Sequence, residues 1–185
     1  ELIDLPGSYS LDPTSPDEAV TRNVVMGAQA GERQPDALVI VLDSANLDQH
    51  LVFALELLQL GLPTVIALNM VDLAERDGLT LDAARLAADL GVPVIPTVAV
   101  RRRGLTDLAA ALDAVILAKQ VPHAPLGEPD MRARRRRAEH IATAAIVSQT
   151  QSRRWTDRAD AVLLHPFAGP LILFALLFVI FQAVF

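Results

Sequence analysis

Two stretches of this chain are apolar without interruption over strand length. Ala37 to Leu42 and Thr64 to Leu68 have the pattern of parallel strands buried on both faces. Between them, Leu47 to Leu60 carries Leu51, Leu55 and Leu58 on one helical stripe, and Gly61 stops it. Strand, helix, strand at this spacing predicts a βαβ unit of a doubly wound α/β sheet with a right-handed crossover. Upstream, Glu1-Leu2-Ile3 reads as the end of a strand, and Ser15-Pro16-Asp17-Glu18 as a helix start capped by Ser15, the helix running to about Ala30. Downstream, the pattern predicts a helix from Leu81 to Leu90 with Thr80 as cap and Gly91 as stop. A short strand over Val92 to Pro96 follows, then a helix from about Thr106 to Lys119 burying Leu108, Leu112, Val115 and Ile116. Pro122, Pro125, Gly127 and Pro129 mark a linker, and Asp130 to Gln151 returns to helix with Ile141, Ala145 and Ile146 as its stripe. Phe167 to Phe185 is 19 residues with no charge and Gln182 as the one polar side chain. That is just long enough for a membrane-spanning helix, which needs about 20.

Composition sharpens the picture at the C-terminus. Of 185 residues 52% are hydrophobic and the mean hydropathy is +0.35, with the excess concentrated in the final run. The absence of cysteine excludes disulfides and thiolate metal sites. A net charge of −6 hides an asymmetry. Residues 1–100 carry 15 acidic and 4 basic residues, whereas residues 101–160 carry 7 acidic and 12 basic. A basic segment before an apolar span is the positive-inside pattern and predicts a cytoplasmic N-terminal bulk. The arginines 101–103 read as a solvated turn. Arg132 to Arg137 has no interleaved aromatics or nucleic-acid module, so no nucleic-acid partner is expected.

The candidate chemistry sits at the ends of the apolar runs. Asn69-Met70-Val71-Asp72 follows the second run, at the sheet edge where α/β proteins bind ligands. An ionised Asp72 can accept two parallel donors, such as the N1–H and 2-amino group of guanine, where adenine offers an acceptor at N1. Asn69 can reach the base N7 and tie neighbouring loops together. A plainer reading of the same tetrapeptide is an Asx turn and helix cap. Asp4-Leu5-Pro6-Gly7 forms a D-x-x-G turn in which Asp4 can hold Mg²⁺ through water, and the Gly7 N–H can approach a terminal phosphate. No G-x-x-x-x-G-K-[ST] occurs, and the chain opens on Glu1. The expectation is therefore a fragment of a longer protein, inactive alone because it lacks the phosphate-binding loop.

Asp4-Leu5-Pro6-Gly7-Ser8-Tyr9-Ser10-Leu11 with Ser15-Pro16-Asp17-Glu18, then Asn69-Met70-Val71-Asp72, then Leu164-His165-Pro166 with Gly169-Pro170, resemble the bacterial ferrous-iron transporter family FeoB. The resemblance implies a partial P-loop GTPase-type sheet over residues 1–119, a linker and small helical domain modulating nucleotide release over 120–160, and a first transmembrane helix within 161–185. It further implies GTP and Mg²⁺ as ligands, with Asp4, Gly7, Asn69, Met70, Asp72, Val98 and Ala99 at the nucleotide. Thr97-Val98-Ala99 falls where the family shows a Ser-Ala pair whose backbone N–H groups meet the guanine oxygen; Ala99 matches and Val98 departs. Ser8 stands where Ras-like enzymes place a water-positioning Gln. The implied function is GTP-coupled Fe²⁺ uptake at the bacterial cytoplasmic (inner) membrane. Its partners would be the lipid bilayer, other copies of the chain and small accessory transport proteins. His165, beside a proline at a helix entrance, is expected to be a capping or interfacial residue and is not proposed as a metal site. Two rival classes are a soluble ribosome-associated-type regulatory GTPase with a hydrophobic C-terminal helix, and a non-enzymatic α/β binding module.

Overall fold

The computed structural model describes residues 2–8, 10–13, 15–118, 130–149 and 162–184. Residues Glu1–Gln149 make one compact unit and Thr150–Phe185 a second. The first unit is built on three parallel strands in the order β1 (Leu38–Asp43), β2 (Thr64–Asn69), β4 (Val94–Pro96). β1 and β2 run in register from Leu38 opposite Thr64 to Asp43 opposite Asn69. The carboxyl ends of both strands therefore finish side by side.

The central strand is apolar from Val65 to Leu68 because it is covered on both sides: Val65, Ile66, Ala67 and Leu68 are all buried. β1 corrects the expectation of burial on both faces. Leu38, Ile40 and Leu42 are buried, but Val41 on the opposite face is 60% exposed. The reason is position, since β1 is an edge strand of this sheet and its second face is left open beside the well-covered β2. Nor do Leu2 and Ile3 form a strand; both are exposed.

Helix α1 (Pro16–Val25) starts as expected, the Ser15 hydroxyl accepting from the Glu18 N–H, but stops five residues short of Ala30 at Gly27 in the left-handed region (φ +70°). α2 (Leu47–Leu58) buries Leu47, Leu51, Ala54, Leu55, Leu57 and Leu58. A short helix, α3 (Val71–Arg76), follows β2 directly. The helix expected from Leu81 instead divides into β3 (Leu79–Leu81) and α4 (Ala83–Leu90), with Asp82 as N-cap accepting from the Arg85 N–H. Thr80 pairs across to Ser148 of β5 (Ile146–Gln149). Gly91 closes α4 with φ +70°, as its position predicts. α5 (Leu105–Ala118) buries Val115, half-buries Leu108 and Leu112, and leaves Ile116 exposed.

α6 (Met131–Ala144) ends where β5 begins, so the long helix expected to reach Gln151 is a helix followed by a strand; the residues beyond Gln149 in that expectation lie outside those described. α6 packs on α2, burying Ala138, Ile141, Ala142 and Ala145 in the same apolar core as Leu51 and Leu55. The linker expected from Val121 to Pro129, and Trp155, also lie outside the described residues.

In the second unit, α7 (Ala168–Val184) is a 17-residue helix. No helix among the described residues is long and apolar enough to cross a membrane. His165 caps this helix: its Nδ1 accepts from the N–H groups of Phe167 and Ala168, each at 3.3 Å.

Candidate functional site

Every strand of the parallel sheet ends at one edge, and the chain bends there through polar residues. At the end of β1, Asp43 turns its carboxylate back to accept from the Ala45 N–H (2.8 Å) and Asn46 Nδ2 (2.7 Å). This sets the buried Ser44, whose hydroxyl donates to the Asn69 carbonyl at 2.6 Å. Neighbouring strand ends are thereby locked to each other by one short bond.

At the end of β2, Asn69 holds the next loop. Its Oδ1 accepts from the Ala99 N–H at 3.1 Å and from Thr97 Oγ1 at 3.3 Å. A side-chain oxygen with two lone pairs can take both donors at once, which a backbone N–H or an apolar residue could not. Thr97 is itself buried, its N–H donating to the Leu68 carbonyl at 2.8 Å. The amide nitrogen of Asn69 makes no hydrogen bond among the described residues. The loop-tying role expected of Asn69 is therefore seen directly, and the partner is the same Thr97-Val98-Ala99 stretch that the sequence singled out.

Met70 bridges Asn69 to α3 in the left-handed region (φ 61°, ψ 29°), a conformation that costs a residue with a Cβ about 1–2 kcal/mol. This sharp bend brings Asp72 into the first turn of α3 directly behind Asn69. The Asp72 carboxylate is 21% exposed and faces the guanidinium of the 72% exposed Arg101 at 3.6 Å. A solvated pair at that distance contributes little, so the carboxylate keeps its capacity to accept donors from a ligand.

Val98 is buried, and its backbone pairs both ways with Arg103 (3.1 and 3.2 Å). The side chain that departs from the family's polar pattern is thus spent on the core. Closing this loop requires Gly104. With φ +78° it sits where a Cβ would run into the Pro96 carbonyl. Ala99 is exposed, but its N–H is engaged by Asn69.

Asp4 and Gly7 lie on an irregular segment anchored by Thr21 Oγ1, which donates to the Pro6 carbonyl at 2.9 Å. Both are exposed, and a Cβ at Gly7 would meet nothing within 4 Å. Among the described residues they share no hydrogen bond or ion pair with the Asn69 cluster. Nor is there among the described residues a group of three or more His, Asp or Glu able to cage a metal ion. A single exposed carboxylate suits a Mg²⁺ ion that keeps its waters and takes its remaining ligands from phosphates. Three contributors were not foreseen as site residues: Ser44, Thr97 and Arg101. Thr97 could have been found, since a hydroxyl just before the expected base-contacting pair is placed to share their acceptor.

A parallel α/β sheet with an N-x-x-D bend at its carboxyl edge and a D-x-x-G segment upstream defines a protein of the GTPase-like α/β class. Two solved structures share that fold. The FeoB G-domain from Methanococcus jannaschii is 33% identical with a TM-score of 0.57, over 62% of this chain and 69% of that one. A variant of the S. thermophilus NFeoB bound to GDP is 31% identical with a TM-score of 0.55, over 69% of this chain and 45% of that one. The sequence profile of the family described as Ferrous iron transport protein B matches residues 1–112, and the chain belongs to that family. The Fe(2+) transporter FeoB of Salmonella typhimurium is 36% identical over 159 residues, which are 83% of this chain and 19% of that protein. The chain thus spans about a fifth of that relative's length.

Proposed function

We propose that this chain is the guanine-nucleotide-binding part of a bacterial ferrous-iron transporter, in which GTP binding and hydrolysis are coupled to Fe²⁺ uptake. The observation that carries the reading is the convergence on Asn69: one side-chain oxygen gathers Thr97 and Ala99, while Asp72 stands three residues on at the same sheet edge. Asp72 selects guanine by accepting its N1–H and 2-amino donors, and Asn69 offers its amide nitrogen to N7. Ala99 turns its N–H to the base oxygen once Asn69 yields it. Met70 and Val98 shape the pocket through backbone. Asp4 serves Mg²⁺ through water, and Gly7 meets the terminal phosphate.

Residues 120–160 act in this reading as linker and release-modulating helical domain, and α7 with its flanks as the first membrane helix. The G domain faces the cytoplasm at the inner membrane, beside further copies of the chain and small accessory proteins. Family membership supports this over a soluble ribosome-associated-type GTPase. Since the 185 residues contain no G-x-x-x-x-G-K-[ST], the chain by itself should bind nucleotide poorly.

The test is competition between GTP, ATP and xanthosine triphosphate on the complete protein, with Asp72→Asn alongside. GTP should win in the wild type. An amide at position 72 presents a donor to the xanthine 2-oxo group, so the variant should lose GTP affinity by about 10- to 100-fold and gain xanthosine triphosphate. Equal binding of all three would exclude the guanine site.

A further inference from the structure

One side chain joins the segment after the D-x-x-G turn to the last helix of the first unit. Glu56 lies on α2, and its two carboxylate oxygens serve different partners. Oε2 accepts from the Leu11 backbone N–H at 3.3 Å, and Oε1 faces Arg134 Nη1 of α6 at 3.5 Å. Both side chains are only 13% exposed, and Arg134 Nε is buried without a hydrogen-bond partner. Arg132, Arg135 and Arg136 on the same helix are exposed.

As stabilisation alone this pair is poorly placed. A buried ion pair with an unsatisfied donor is commonly matched or bettered by apolar residues of similar volume, and the surrounding α2–α6 interface is already apolar through Ala138, Ile141 and Ala142. The Leu11 bond supplies a different purpose. Residues 2–8 and 10–13 form neither helix nor strand. Their internal ties are Ser8 Oγ to the Ser10 carbonyl and the Asp12 N–H to Ser10 Oγ. Among the described residues, the hydrogen bonds that reach this segment from the rest of the fold are those of Thr21 to the Pro6 carbonyl and of the Leu11 N–H to Glu56, while Leu5 and Leu11 pack on the core.

We propose that Glu56 is a positioning residue that couples the segment following Gly7 to α6, so that displacement of Leu11 is felt at Arg134 and displacement of α6 is felt at Leu11. The use of this coupling as a nucleotide signal rests on the reading of Gly7 as a phosphate contact. When the Leu11 N–H withdraws, Oε2 loses its donor and the carboxylate is left to Arg134 alone, which draws the pair together. When Arg134 withdraws, a buried carboxylate without its cation turns to water and releases Leu11. Reciprocity between the two ends is required by linkage.

The experiment is amide hydrogen exchange on the complete protein without nucleotide, in Arg134→Met and in Glu56→Leu combined with Arg134→Met. Arg134→Met should raise exchange at the Leu11 and Asp12 amides by about tenfold, although the substitution lies on α6. Exchange that changes only in α2 and α6 would overturn the coupling. The double variant removes both charges and so keeps the fold even if the single one loosens it. It should retain wild-type protection in α6 while the Leu11 and Asp12 amides lose theirs, and wild-type protection at those two amides would equally overturn the proposal. Because no nucleotide is present, failure of guanine selectivity would leave this result standing, and failure here would leave guanine selectivity untouched.

Discussion

Asn69 shows how much can hang on one oxygen. Its Oδ1 accepts from both the Ala99 N–H and the Thr97 hydroxyl, and removing it strands the Ala99 N–H and leaves the Thr97 hydroxyl only the 3.4 Å contact to the Leu68 carbonyl. Asn69→Ala should cost about 1–3 kcal/mol in denaturant unfolding, the penalty of an unsatisfied donor. Thr97→Val should cost less, since the valine takes the same space without needing a partner. The two substitutions should be non-additive, because they delete the same bond. Gly104 is a second single point of dependence. Gly104→Ala meets both a positive φ and the Pro96 carbonyl, so it should destabilise by more than about 1 kcal/mol and loosen the loop that holds Val98 and Ala99. A melting temperature equal to wild type would show that the loop can reclose around a Cβ.

At the scale of elements, α2 carries the most core. Leu51 is fully buried between the sheet and α6, and Leu51→Ala should cost about 2–5 kcal/mol, read as a shift of the urea midpoint. α4 tests where a helix starts. The hydroxyl of Thr80 lies two residues too early, while the Asp82 carboxylate accepts the Arg85 N–H at 2.9 Å. Asp82→Ala should cost about 0.5–2 kcal/mol, and Thr80→Ala should disturb the β3–β5 pairing and leave α4 in place. Helical content by far-ultraviolet circular dichroism separates these outcomes. Thr80 was legible as a cap from local pattern alone, because a threonine before an apolar helical repeat fits that role. Its actual partner, Ser148, lies far along the chain, and no local pattern announces a pairing of that range.

At the scale of the whole molecule, the proposed membrane attachment rests on residues 161–185. α7 spans Ala168–Val184 and exposes Leu171, Phe174, Leu176, Phe178 and Phe181. In the complete protein this segment should stay in the membrane pellet after an alkaline wash. Leu176→Arg, near the middle of the helix, should weaken its insertion by about 2.5–3.5 kcal/mol. Release of the wild-type protein by the wash would favour the soluble alternative.

The sequence by itself determined the elements whose signals are local. Apolar runs marked β1 and β2, Gly91 marked the end of α4, and Ser15 marked the start of α1, because burial, the left-handed glycine and the capping hydroxyl each act within a few residues. The N-x-x-D tetrapeptide was legible for the same reason, as a strand end followed by a turn with a defined donor and acceptor set, whereas no strand precedes the D-x-x-G segment. Tertiary structure alone decided the rest. It placed Asn69 beside Ala99 and joined Ser44 to Asn69, and it left one face of β1 open at Val41. It also turned the end of the expected long helix into β5 and set Glu56 between Leu11 and Arg134. Each of these depends on which distant segment arrives as a neighbour, and a chain's local preferences do not carry that choice.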